Sequence, residues 1–240
     1  TMARTSMAWG LLEPGDRILV AVSGGKDSYS LLHLLHRLKG RLPFAIELLA
    51  IHVVQGQPGV DAAPLEKWLA DSGVPHLIVR EDVYSVMQRN AVDGQKPCAI
   101  CARMRRGILY TQAQKNGCNK IALGHHREDT LATLLMNLFH SGRIQAMPAK
   151  YRTDDNRFDV IRPLIEVAEA DLAACARMNG FPIIPCVLCA GSGDHQRRRM
   201  NELMDRLEQE HPRIKDSMLG ALKNVKPSHL LDRHLRRTDV

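Results

Sequence analysis

The chain has 240 residues, of which 45% are hydrophobic and only 4% aromatic. That is enough apolar side chain for a substantial α/β core, but too little aromatic surface for the stacking sheet of a single-strand binder. The formal net charge of +7 favours a polyanionic partner. Nothing resembles a membrane span or a cleavable leader, so a cytoplasmic protein with no membrane partner is expected.

Arg17 to Val22 (RILVAV) is a short apolar run without polar alternation, as expected of a parallel strand buried on both faces. SGGKDS (Ser23 to Ser28) follows directly, and Tyr29 to Leu38 repeats leucine on a helical face. Strand, glycine loop and helix are therefore predicted in that order. Ile46 to Val54 (IELLAIHVV) forms a second strand, leading through QGQPG to a helix over 65–71. Weaker strand character follows at His76 to Val79.

Lys120 to Leu123 predicts a fourth strand ended by Gly124, with a helix over 128–139 behind it. Strands alternating with helices imply right-handed crossovers and a parallel sheet covered on both faces. Ligands then belong at the carboxyl ends of the strands, where both SGGKDS and GHHRED fall. Beyond Gly142 the pattern loosens. Tyr151 to Asp159 reads as polar and turn-rich, RPL as a short extended piece, and 167–178 as a helix. The expected organisation is an α/β domain over 1–180, followed at 181–240 by a small, basic, helical extension.

In SGGKDS, glycines let the backbone approach a phosphate, and the following helix aims its free amides at the anion. The motif departs from the Walker A pattern because Gly24 and Gly25 are adjacent. Ser23 and Ser28 can add hydroxyl donors and Lys26 a mobile charge. Asp27 is assigned to helix capping or to a phosphate-neutralising Mg²⁺.

Six cysteines include two CxxC pairs, Cys98/Cys101 in KPCAICARMRRG and Cys186/Cys189 in FPIIPCVLC. In a reducing compartment this spacing points to metal, and four thiolates suit zinc or an iron–sulfur cluster. Cys118 and Cys175, each alone, read as core residues.

SGGKDS matches the PP-loop of the ATP-pyrophosphatase superfamily, whose fold is adenine nucleotide alpha hydrolase-like. SGGKDS, PCAICARMRRGILY, GHHRED, PLIEV and FPIIPCVLC together resemble, in order and spacing, the TtcA family of tRNA 2-thiocytidine synthetases. That resemblance implies ATP cleavage to AMP and pyrophosphate, and sulfur insertion at cytidine 32 of the tRNA anticodon loop. It also implies a 4Fe-4S cluster on Cys98, Cys101 and Cys186, with Cys189 spared. The nucleotide then lies against Ser23, Gly24, Gly25, Lys26, Asp27, Ser28, Val53 and Gly124. Asp129, Lys26 and Arg105 are candidate catalytic residues. His125 and His126 can move protons, and Arg103, Arg105, Arg106 and Arg197 to Arg199 are candidate tRNA contacts.

A sulfur donor such as a cysteine desulfurase system, and a homodimer, complete the expectation. The competing readings are a 2-thiouridine synthetase of the same superfamily and a zinc-stabilised RNA-binding protein without catalysis.

Overall fold

The computed structural model describes residues 1–89, 97–184, 195–232 and 234, with backbone only at 97–100 and 195. The chain order is α1 (Met2–Ala8), β1 (Arg17–Ala21), α2 (Lys26–Lys39), β2 (Glu47–Val54), α3 (Ala63–Asp71), β3 (His76–Arg80), α4 (Val83–Arg89), α5 (Pro97–Lys115), β4 (Lys120–Ala122), α6 (Arg127–His140), β5 (Lys150–Arg152), β6 (Asp159–Ile161), α7 (Glu169–Asn179), α8 (His195–Glu210) and α9 (Ile214–Lys223).

The six strands form one sheet in the order β3-β2-β1-β4-β6-β5. Leu49, Leu19, Ile121 and Val160 align across four parallel strands, so one row of apolar side chains crosses the sheet. Strand residues alternate between faces, and the core divides accordingly. Ile18, Val20 and Val22 pack with α2, α3 and α7, while Leu19, Leu49 and Ile121 pack with Leu109 and Ala113 of α5.

The sheet is mostly parallel, as expected, and β5 joins its edge antiparallel to β6. The polar, turn-rich stretch supplies the turn of that hairpin. Its turn is held by Asp155, which accepts hydrogen bonds from Thr153 Oγ1 at 2.6 Å and from Arg157 Nη2 at 2.5 Å. An edge hairpin buries little, so no alternating apolar signal announces it.

Chain after 195 forms α8 and α9, which pack through Met200 and Met204 against Leu131 and Leu135 of α6. No described helix is long and apolar enough to cross a membrane.

Strand order reverses between β1 and β4, since β2 and β3 lie on one side of β1 and β4 and β6 on the other. Loops leaving neighbouring strands there turn to opposite faces and open a crevice at their carboxyl ends.

Candidate active site

Ser28 organises the glycine loop. Its hydroxyl donates to the Gly25 carbonyl at 2.8 Å and accepts from the Ser23 amide at 3.1 Å, closing the loop on itself. Helix α2 begins at Lys26 with Gly25 as its N-cap and no side-chain cap, so the capping alternative for Asp27 is corrected. Gly24 has φ +92, and an added Cβ would sit 3.1 Å from Ile184 Cβ. Gly124 is equally confined, since its Cβ would lie 3.2 Å from the backbone of Asp27 and Ser28. The loop after β4 therefore lies directly against the start of α2.

A cavity of about 530 Å³ opens at this switch point. Ser23, Gly25, Asp27 and Ser28 line it from the glycine loop, and Ala21, Ile51, Val53 and Leu123 from the strand ends. Arg105, Arg106, Arg162 and Arg197 give its wall a strongly basic character. Apolar strand ends beside amides and arginines are the setting a nucleotide requires.

Charged groups beneath the loop form a connected network. Lys26 Nζ bridges Asp27 at 3.2 Å and Glu169 at 2.8 Å. Burial lifts the Asp27 carboxyl above its ordinary range, although Lys26 and His126 pull it down. Its Oδ1 is buried with no hydrogen-bond partner among the described residues. His126 stands 3.1 Å from Glu128 and 3.5 Å from Asp129. Burial opposes its charge, but the Glu128 hydrogen bond and the surrounding carboxylates more than offset that and raise its pKa. Glu128 is also buried, yet hydrogen bonds from His126 and Arg127 hold it down at about 2.

GHHRED thus contains two histidines of opposite character. Burial and the nearby Arg162 charge push His125 down to about 4.

Cys101 is buried among Val83, Met87, Tyr84 and Met104, and its Sγ donates to Gln55 Oε1 at 3.2 Å. Gln55 itself lines the cavity. Cys98 lies one turn earlier, at the start of α5; its side chain lies outside the described residues. Cys186 and Cys189 also lie outside them. The chain leading toward Cys186 is nevertheless fastened to the glycine loop, because the Ile184 amide donates to the Gly24 carbonyl at 2.9 Å. Tyr29 Oη adds a bond to the Pro182 carbonyl at 2.8 Å. Among described residues, no group of three or more His, Cys, Asp or Glu is placed to hold a metal.

Of the candidate residues, Ser23, Gly25, Asp27, Ser28, Val53, Gly124 and Arg105 line the cavity. Lys26 lies in the ion-pair network beneath it. Asp129 accepts from the His126 amide at 3.1 Å and from Arg197 Nη1 at 3.1 Å. Cys118 is 4% exposed and buried as a core residue, while Cys175 is half-buried against the core. Sequence reading missed Gln55, Tyr151, Arg162 and Glu169. Only RPL, set at a strand end, hinted at Arg162.

Fold and site together define a PP-loop enzyme of the ATP-binding type, and a family model described as a PP-loop domain matches residues 5–184. Curated relatives narrow this. A tRNA-cytidine(32) 2-sulfurtransferase from Anaeromyxobacter sp. strain Fw109-5 is 49% identical over 95% of this chain and 75% of its own length. Others with that name, from Deinococcus radiodurans and Neisseria gonorrhoeae, are 47% and 46% identical over 94% and 95% of this chain, and 75% and 71% of their own. The chain belongs to the tRNA-cytidine(32) 2-sulfurtransferase family of PP-loop enzymes. Among solved structures, the U34-tRNA thiolase NcsA from Methanococcus maripaludis, described with its 4Fe-4S cluster, superposes with a TM-score of 0.74 at 22% identity. The alignment covers 94% of this chain and 78% of that one, and it shows a shared fold.

Proposed function

We propose that this chain uses ATP to activate the C2 oxygen of cytidine 32 in the tRNA anticodon loop and exchanges that oxygen for sulfur. The observation that carries the reading is the cavity itself. The glycine loop, the basic wall and the Gln55 that touches Cys101 all line one space.

ATP lies with its adenine against Val53 and Ile51 and its phosphates on the amides of the glycine loop. Arg105 and Arg106 offset charge as it develops on the phosphoryl oxygens. The cytidine oxygen attacks the α-phosphorus, the bond to the bridging oxygen breaks, and pyrophosphate leaves. A sulfur nucleophile then adds at C2, and the C2–O bond breaks to release AMP. Cytosine oxygen is a poor leaving group, and adenylation is what makes the exchange feasible. An anticodon-loop base reaches such a pocket more cheaply than one taken from a duplex.

Asp27 Oδ1, buried and unpartnered among the described residues, suits Mg²⁺ at the phosphates. Cys101, together with Cys98 and Cys186, would supply thiolates for a 4Fe-4S cluster. Held by three cysteines, such a cluster would supply a site at which sulfur could be carried to the activated base. Its sulfur comes from a donor such as a cysteine desulfurase system.

Mass spectrometry of tRNA nucleosides from a deletion strain tests the proposal. Wild type is expected to restore 2-thiocytidine and Cys101→Ala to abolish it, with iron content falling in the purified variant. Persistence of 2-thiocytidine without the gene sinks the assignment, and so does restoration of 2-thiouridine instead. A colourless protein with stoichiometric zinc sinks the cluster.

A further inference from the structure

Arg162 follows β6 directly and is only 8% exposed. Its Nε donates to His125 Nδ1 at 3.2 Å and its Nη1 to the Pro148 carbonyl at 2.7 Å, and both acceptors are neutral. The guanidinium carbon stands 5.2 Å from the centroid of the Tyr151 ring. Among described residues, no carboxylate forms an ion pair with it. Asp129 bears on it electrostatically but is itself held by Arg197 and the His126 amide. Burying a guanidinium among neutral partners costs free energy that an anion would recover. Arg162 lines the cavity, so an anion entering that space can reach it.

His125 adds a second, fixed donor. A guanidinium only donates, so His125 Nδ1 must accept, and the ring hydrogen sits on Nε2. No described residue accepts from Nε2, and His125 also lines the cavity. The guanidinium hydrogens not taken by His125, Pro148 and Tyr151, beside one imidazole N–H, suit the oxygens of a phosphoryl group.

We propose that Arg162 and His125 form a second oxyanion subsite in the cavity, distinct from the glycine loop, that binds a phosphoryl group. The group belongs either to the nucleotide and its pyrophosphate product or to the tRNA backbone. Which of the two supplies it rests on the proposed function; the binding of a phosphoryl anion does not.

Titration calorimetry of the full chain with inorganic pyrophosphate, with ATP and with tRNA tests the site without any thiolation readout. In Arg162→Gln, at least one of the three affinities is expected to fall about tenfold, the worth of a charge-assisted contact. Loss for pyrophosphate or ATP with tRNA unchanged assigns the nucleotide. Loss for tRNA alone, with its salt slope reduced by about one, assigns the backbone. His125→Gln, which keeps the arginine charge, is expected to weaken the same ligand about threefold. Arg162→Lys is expected to fall between the two, since charge survives and the fork does not.

A merely structural Arg162 would lower the melting temperature and leave all three affinities within twofold of wild type, and that result overturns the site. Should Arg162→Gln not fold, unchanged affinities in both His125→Gln and Arg162→Lys overturn it equally.

Discussion

Lys120 and Arg162 are both buried cations, one opening β4 and the other just past the far end of the neighbouring β6, and their surroundings differ in kind. Lys120, 1% exposed, opens β4 and meets Asp16 at 2.7 Å and Glu13 at 2.5 Å, with a further bond to the Leu11 carbonyl. Asp16 is completed by Asn119 at 2.8 Å and by the Glu13 amide at 2.7 Å. Every charge there is answered within the protein, and the network pins the segment before β1 to the base of the sheet. Arg162, at the carboxyl end, has neutral partners only among the described residues. A saturated buried cation holds structure, whereas an unsaturated one beside a cavity is available to a ligand.

Stability measurements can break that comparison. Lys120→Met strands Asp16 in the interior, so a loss of about 3–5 kcal/mol is expected by chemical denaturation, with ATP affinity of the folded fraction unchanged. Arg162→Gln removes a charge that no described carboxylate pairs with, so its cost should stay below about 1.5 kcal/mol, and its effect should appear in binding instead. Equal losses in the two variants would erase the distinction.

Gly124→Ala sharpens the contrast at the functional end. Its Cβ would press on the Asp27 and Ser28 backbone, which has no flexible side chain to yield. A destabilisation of about 1–3 kcal/mol is expected, with ATP affinity falling because the glycine loop must shift. Retained affinity would show that the loop tolerates displacement.

A further effect is on pH dependence. His125 titrates at about 4 in the fold against 6.5 for a free imidazole. Between those values the unfolded chain binds more protons, so stability should decline as pH falls from 6.5 toward 4. His125→Asn should flatten that decline in denaturant midpoints measured across the range; an unchanged slope would place the cause elsewhere. His126 acts in the opposite sense. Its pKa is raised, so its contribution is fully present below 6.5 and is lost as pH rises through the elevated value.

Legibility varied with how local the cause was. RILVAV followed by SGGKDS announced a buried strand and phosphate loop because both signals are written in consecutive residues. The helix begins earlier than leucine periodicity suggested, at Lys26, because Gly25 caps it and Ser28 folds back on the Gly25 carbonyl. Helices α1 and α4 are single short segments with little periodicity, and sequence reading passed over them.

At the site, Gln55 was hidden in a stretch read as a turn, and its bond to Cys101 joins residues 46 positions apart. Glu169 came into view only when α7 was seen to bring it to Lys26.

The sequence by itself determined the parallel α/β sheet, the phosphate loop at its switch point and the cysteine pairs, since strand burial, glycine spacing and thiol spacing are local properties. Only the tertiary structure decided which cations are answered. Lys120 and Arg162 look alike in the sequence, and whether a carboxylate or a cavity faces each one depends on chain segments brought together across the fold.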